Sequence, residues 1–413
     1  MPANQPTLLN PQAQLTPSQW QQAVDLLERA AQGFVHKTPE NEYEIWAASE
    51  DWFFEPWGRD TFISLPGLLL STERFEEARC VFLHFARYER KGLIPNRILP
   101  DSVMYNTVDA SLWFIVSLEK YLETTGQKAF VLSLLPVVRN IIQHYKQGTY
   151  FQRQGRLNGI MVDSHDGLVM CPPQTTWMDA DPSGAGDSVV TPRDGKPVEI
   201  NALWYRSLRF FASLTEDRAE ADKATKLANQ VKISFNQKFW NEREQCLLDV
   251  VEGDPHTGAI RPNQIFAVSH GGDLLSPQHQ AEVLHSVSHD LLTPCGLRTL
   301  SPRDSYYKGH YDTFAPMDIK DWAYHQGTVW PWLLGPYIDA LHIIRSQEGA
   351  DEEIIQQEIR GLIMPLCDFL LNADCQSLPE VFSGDTPHEP GGTRSQAWSV
   401  SEILRVIRQY DLA

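Results

Sequence analysis

Trp177 and Asp179 stand two residues apart in the stretch PQTTWMDADPSGAGD (173–187), which surrounds three aspartates with glycine, proline and serine. Such a loop either holds a cation or uses an aspartate for acid–base work on something an indole stacks against. Asp179, Asp181, Ser183 and Gly184 match the first half of a D-x-D-x-S-G calcium loop, but the twelfth position, where a bidentate glutamate belongs, is Val190. That argues against calcium and leaves a structural loop or a catalytic acid. An indole beside a carboxyl lowers its solvation and favours the protonated acid, the form a departing glycosidic oxygen requires.

Three other segments crowd polar, charged and aromatic residues around glycine. In EPWGRDTF (55–62), Arg59 and Asp60 are either a helix cap with its ion pair or a donor and an acceptor for sugar hydroxyls, with Trp57 as a stacking face. In YHQGTVWPWLLGPY (324–337), His325, Gln326, Trp330 and Trp332 gather where a helix begins. A satisfied core histidine is the plain reading, and an aromatic wall for a sugar is the functional one. No H-E-x-x-H or Cys/His set occurs, so no metal is expected. In LPEVFSGDTPHEPGGTRSQAWSVSEILR (378–405), Glu380, Asp385 and Glu389 are either solvated surface acids or candidate bases. Glu380, flanked by Pro379, Val381 and Phe382, is the least free to point into water.

Helices must position these segments. Thr16-Pro17-Ser18-Gln19 is a capping box with proline at the first helical position, followed by Trp20, Val24, Leu27, Ala31 and Phe34 at helical spacing. Periodicity predicts helices near 61–71, 73–90, 107–124, 128–147, 199–214, 216–240, 276–289, 322–346, 351–372 and 394–410. GIMVD and GLVMC, flanking Asp166-Gly167, read as a hairpin within a connection, and CLLDVVEG as a candidate for another. With no regular β–α alternation, the class is all-α, with short hairpins in the connections. The connections 248–264 and 293–320 are long enough to be functional. One domain over 16–413 is expected, preceded by a short arm at 1–15 open to fraying.

The 413 residues are 42% hydrophobic and 21% charged, values of a globular chain with a large core. A formal net charge of −18 repels phosphate backbones and anionic lipid, so neither nucleic acid nor a membrane surface is expected as a partner. Twelve tryptophans, several beside glycine, proline or an acid, either fill the core or stack on sugars. Cys80, Cys171, Cys246, Cys295, Cys367 and Cys375 are scattered without a C-x-x-C pair, as in reduced thiols of a cytosolic protein. The N-terminus has no basic start or apolar h-region, and no apolar run approaches the ~20 residues of a membrane span. The expected localisation is therefore cytoplasmic.

WGRDTFISLPGLLL, GLIPNRI, YNTVDASLWF, TWMDA, TPRDGKPVEINALWY, YHQGTVWPWLLGPY and QAWSVSEILR follow one another from about residue 50 to 408. In that order they resemble the amylo-α-1,6-glucosidase domain of glycogen debranching enzymes. The resemblance implies an (α/α)6 six-hairpin toroid similar to glucoamylases, with the site at one mouth, and hydrolysis of an α-glucosidic bond with inversion. It implies Asp179 as general acid and Glu380 as general base, about 200 residues apart in sequence. Inverting sites separate two such carboxyls by roughly 6.5–9.5 Å to admit a water. Arg59 and Asp60 are implied as contacts to the terminal glucose, and Trp57, Trp177, Glu199, Asn201, Gln326, Trp330 and Trp398 as the remaining lining. No cofactor is implied. The glucanotransferase module and the N-terminal β-rich domain of full-length debranching enzymes are not found. The expected substrate is therefore a glucan whose branch is already trimmed, by a partner chain supplying glucanotransferase activity, or a small oligosaccharide or glucoside. Hydrolysis of a small glucoside or mannoside such as glucosylglycerate, and non-catalytic carbohydrate binding on the same fold, are the rival expectations.

Overall fold

The computed structural model describes residues 8–48, 55–99, 101–153, 155–183 and 189–413. In chain order the helices are α1 (Pro17–Gln32), α2 (Gly58–Leu65), α3 (Phe75–Arg87), α4 (Ala110–Thr125), α5 (Lys128–Ser133), α6 (Leu135–Gln147) and α7 (Val198–Leu214). They continue as α8 (Arg218–Phe239), α9 (Phe266–Ser269), α10 (Pro277–Asp290), α11 (Met317–Tyr324), α12 (Leu334–Gln347), α13 (Glu352–Asn372) and α14 (Ala397–Gln409). The Thr16 capping box is formed with Gln19, and the first helix buries Trp20, Val24, Leu27 and Ala31 on one face.

Two kinds of helix alternate. α2 is buried at all eight positions, α14 from Ala397 to Ile407, and α4 from Ala110 to Leu118, as befits helices enclosed by others. These enclosed helices pack in a cycle: α2 on α4, α4 on α7, α7 on α9, α9 on α12, α12 on α14, and α14 back on α2. Half-buried helices lie against the cycle, with α1 on α14, α3 on α4, α6 and α8 on α7, and α10 and α13 on α12. The buried apolar side chains form one continuous core. Residues 1–7 of the expected arm lie outside the described residues, while Leu9 and Ala13 are buried, Leu9 in that core. Among the described residues no helix is long and apolar enough to cross a membrane. None of the six cysteines forms a disulfide.

Three departures from the predicted elements have local causes. The run predicted at 61–71 is α2 followed by a wider turn over Pro66–Leu70, closed by Ser71 N–H donating to Pro66 O five residues back. Proline supplies no N–H, and the ladder loosens there. The helix predicted over 322–346 is two, because Gly327 takes φ +150 and Pro331 opens a short tight turn ahead of α12. Between them Val329–Trp330 is the central strand of a five-stranded antiparallel sheet, in the order Leu292–Thr293, Gly296–Arg298, Val329–Trp330, Val381–Phe382, Pro390–Gly391. The predicted hairpin around Asp166-Gly167 is present as Arg156–Val162 with Val169–Met170. CLLDVVEG divides instead: Cys246–Leu247 pairs with Trp240–Asn241, and Val250–Val251 with Lys196–Pro197.

The cycle closes where backbone meets backbone. A Cβ on Gly67 would come 2.0 Å from Ser401 O of α14, while Ser401 Oγ donates to Ser64 O at 2.7 Å. Gly67→Ala is expected to destabilise the fold by about 1–3 kcal/mol. Gly361→Ala, in exposed α13 with no atom near the added methyl, is expected to stabilise it by up to about 1 kcal/mol. Urea midpoints of the two variants should move in opposite directions.

Candidate active site

Arg59, on the first turn of α2, is 3% exposed and uses three of its five N–H groups. Nε donates to Asp109 Oδ2 at 2.6 Å, one terminal nitrogen to Thr176 O at 2.9 Å, and the other to Asp179 Oδ2 at 3.3 Å. The guanidinium thus joins α2, the residue before α4 and the segment that carries Asp179. That segment is fastened along its length. Val108 N–H donates to Thr175 O, Arg193 to Thr176 Oγ1, Trp177 Nε1 to Asn263 Oδ1, and Thr191 Oγ1 to Met178 O. Asp179 emerges with its side chain 31% exposed, the more open end of its pair with Arg59.

Glu380 is held differently. It immediately precedes the strand Val381–Phe382, which pairs with Val329–Trp330, five residues beyond Tyr324. The Tyr324 hydroxyl donates to Glu380 Oε1 at 2.5 Å and Thr393 N–H to Oε2 at 3.1 Å. Gly392, at φ +68, gives the carboxyl its room, since a Cβ there would lie 2.2 Å from Oε2. Glu380 is 7% exposed. Burial pushes its pKa up, against the hydrogen bonds from Tyr324 and Thr393 that favour the ionised form.

Asp60 ties the two ends together. Its carboxyl is pushed up to about 7, first by burial, then by the negative charges of Glu380 and Asp179, while Arg59 opposes the shift. Burial first, then the charges of both carboxylates, likewise raise the Tyr324 phenol. Asp60 and Tyr324 therefore each lie within electrostatic reach of both Asp179 and Glu380.

The other expected lining residues have more occupied surroundings. Trp177, Trp330 and Trp398 are buried in one aromatic cluster with Trp332 and His325. The indole expected beside the Asp179 carboxyl is thus turned into the core, and that carboxyl is partnered by Arg59. Trp330 still reaches the site through Tyr324, whose ring centroid is 4.9 Å away. His325, expected to be a satisfied core histidine, is stacked on Trp330 with neither ring nitrogen hydrogen-bonded among the described residues. Glu199 gives both oxygens to Arg193, at 2.6 Å each, in a buried cluster with Asp249. Asn201 is fully buried and spends its amide on the backbone of Val169 and Pro197. Gln326 Oε1 accepts from Arg261 at 2.6 Å, and Arg261 also holds His325 O. Trp57, half-buried, carries the Arg97 guanidinium over its ring at 4.8 Å.

Asp109, Tyr324, Arg193 and Thr393 were missed as site residues, although all four lie in quoted segments. Of the calcium-loop match, Gly184 to Ser188 lie outside the described residues, and Ser183 Oγ donates to Asp181 Oδ1. Elsewhere Asp163, Asp166 and Glu252 bring carboxylate oxygens within 4.8 Å of one another, but each is already ion-paired with Lys196, and Asp166 and Glu252 also with Lys238.

A stability measurement tests the Asp60 environment. Between about pH 4 and 7 the folded protein keeps a proton on Asp60 that the unfolded chain has released, so Asp60 makes stability fall as pH rises through that window. Asp60→Asn, which cannot ionise, should gain stability relative to the parent across the window and hold the gain above it, as read from urea midpoints at pH 4.5 and 8.

Residues 29–405 match the family model described as amylo-alpha-1,6-glucosidase. The glycogen debranching enzyme of Saccharomyces cerevisiae is 26% identical over 450 aligned residues, covering 86% of this chain and 29% of that protein, so the chain spans under a third of this relative's length. Among solved structures, the mannosylglycerate hydrolase from Thermus thermophilus in complex with glucose superposes with a TM-score of 0.61 at 13% identity, covering 94% of this chain and 99% of that one. The rhamnosidase from Klebsiella oxytoca with rhamnose bound superposes at 0.60, also at 13% identity, covering 98% and 66%. The likeness to these two is one of fold. With the family model covering most of its length, the chain belongs to the amylo-α-1,6-glucosidase family of glycoside hydrolases.

Proposed function

We propose that this chain is an inverting exo-α-glucosidase that removes α-1,6-linked glucose, built as one (α/α)6 toroid over residues 16–413. The cyclic packing of α2, α4, α7, α9, α12 and α14 supports reading them as the inner ring. The observation that carries the function is the shared electrostatic reach of Asp179 and Glu380 at Asp60 and Tyr324, with the two carboxyls held by different means.

In this reading Asp179 protonates the departing glycosidic oxygen while Glu380 takes a proton from a water that attacks the anomeric carbon from the opposite face. One bond forms as the other breaks, and the product is β-glucose. Tyr324 and Thr393 N–H aim the Glu380 carboxylate and oppose the upward push of burial on its pKa. Arg59 fixes the orientation of Asp179 and keeps two N–H groups for substrate, and Asp60 accepts from a glucose hydroxyl. Trp57 offers a ring at the start of α2. The aromatic cluster, Gln326, Glu199 and Asn201 hold the backbone under the sugar. No step draws on a cofactor. For a branched glucan, a partner supplies glucanotransferase activity.

A second reading, hydrolysis of a small glucoside or mannoside, draws on the near full-length likeness to the mannosylglycerate hydrolase, against the 29% of the debranching enzyme that is matched. Initial rates on isomaltose, a branched limit dextrin and glucosylglycerate separate the two.

Asp179→Asn and Glu380→Gln should each lower kcat by roughly 100-fold or more while glucose still binds; retained binding in an unmodified chain without turnover on any glucoside would make it a carbohydrate-binding protein. Proton NMR of the first turnovers should show β-glucose, and initial α-glucose would reject inversion. Tyr324→Phe removes a hydrogen bond that favours ionised Glu380, so the acidic limb of kcat/KM should move to higher pH by about one unit. A limb that stays in place would take the base role away from Glu380.

A further inference from the structure

The outer face of α10 carries Glu282, His285 and His289, spaced three and then four residues apart, so that all three lie along one side of the helix. With Asp290, Arg303 and Glu244 they line a groove of about 350 Å³. Glu244 belongs to the turn of the hairpin that pairs Trp240–Asn241 with Cys246–Leu247. Both walls are fastened. The Trp240 ring stacks on His279 of α10, with centroids 3.8 Å apart. Arg303 donates twice to Asp290, at 2.9 and 2.6 Å, and stands 3.7 Å from Glu244. None of these residues belongs to the candidate active site.

Imidazoles four residues apart on a helix can meet at one point, because a single turn separates them. Helical side chains lean toward the N-terminus, which tips the His289 ring toward His285. Two imidazoles bound to one ion at about 2.0–2.1 Å in a tetrahedral set have ring centroids roughly 5 Å apart. Those of His285 and His289 are 6.3 Å apart, with planes inclined by 31°. His285 is exposed, so a turn of its ring closes the difference. His289 Nδ1 lies 3.3 Å from Asp290 Oδ1. A carboxylate there takes the Nδ1 proton and leaves the Nε2 lone pair facing outward, the arrangement that metal-bound histidines share. Glu282 adds negative charge. Its Oε1 accepts from Gln278 at 2.9 Å, while its Oε2 is shielded from solvent with no hydrogen-bond partner among the described residues. A shielded carboxylate oxygen left in this way calls for a bound ion or water.

We propose that His285, His289 and Glu282 hold a divalent transition-metal ion, with Zn²⁺ as its type, at a site separate from the candidate active site. Two neutral imidazoles and one carboxylate suit zinc, nickel or copper, whereas calcium and magnesium take oxygen ligands. A bound ion ties the last two turns of α10 together and stabilises the folded chain by mass action. The site is independent of the glucosidase reading. The test is calorimetric titration of the tag-free, EDTA-treated chain with Zn²⁺. His285→Ala and His289→Ala should each weaken binding by roughly tenfold or more, and Glu282→Gln by about threefold or more. Zn²⁺ should raise the Tm of the parent and leave that of His285→Ala where it was. Cu²⁺ in place of Zn²⁺ should give an EPR spectrum of two coordinated nitrogens, reduced to one by either histidine variant. The chain has 13 histidines, so stray uptake is the competing account. A Zn²⁺ affinity unchanged in both histidine variants overturns the proposal and assigns the uptake elsewhere. An affinity unchanged in Glu282→Gln overturns the three-ligand set, and a parent that takes up no Zn²⁺ overturns the site outright.

Discussion

The site depends on one buried cation. Arg59 has no water to solvate it, so the charge is stable only because Asp109 and Asp179 face it and Thr176 O completes its fork. The same three contacts decide where Asp179 stands. Asp109 is buried with its other oxygen unpartnered among the described residues, which makes the α4 end of the fork the anchored one. Asp179 is the end left part-open. A lysine at this position would supply the charge without the flat fork that spaces the partners.

The two carboxyls facing this region are kept apart in character by their supports. Asp179 is braced by a full charge and reaches toward solvent. Glu380 is enclosed and, among the described residues, receives neutral donors alone, a phenol and a peptide N–H. The five-stranded sheet makes the Glu380 side possible, since it sets the strand after Tyr324 beside the strand after Glu380.

Helices could be read from the sequence because amphipathic periodicity extends over many residues, and Asp60, Asp179 and Glu380 stood out because acids beside tryptophan, glycine or proline break that pattern. The sheet escaped because its strands are two or three residues long and buried, too short for an alternation to register. Tyr324 was quoted but passed over, since nothing in YHQG says that the phenol rather than the imidazole meets a carboxylate. Trp177, Trp330 and Trp398 show the complementary difficulty. An indole that stacks on a sugar and one that packs on other indoles have the same sequence signature, and only packing distinguishes them. Glu199 entered the expected lining only through the family resemblance, and the partner that occupies it, Arg193, lies six residues upstream in the same quoted segment.

The circular order of helix packing has a bearing on how the protein is made. Trp20 Nε1 donates to Leu412 O across 392 residues, and Ser401 Oγ to Ser64 O across 337. The first and last helices of the cycle are therefore mutual neighbours, and a nascent chain leaving the ribosome holds the apolar side of α2 uncovered until α14 has been synthesised. Closure of the cycle thus waits for its last helix, and until then the face of α2 that meets α14 is unshielded hydrophobic surface of the kind chaperones recognise.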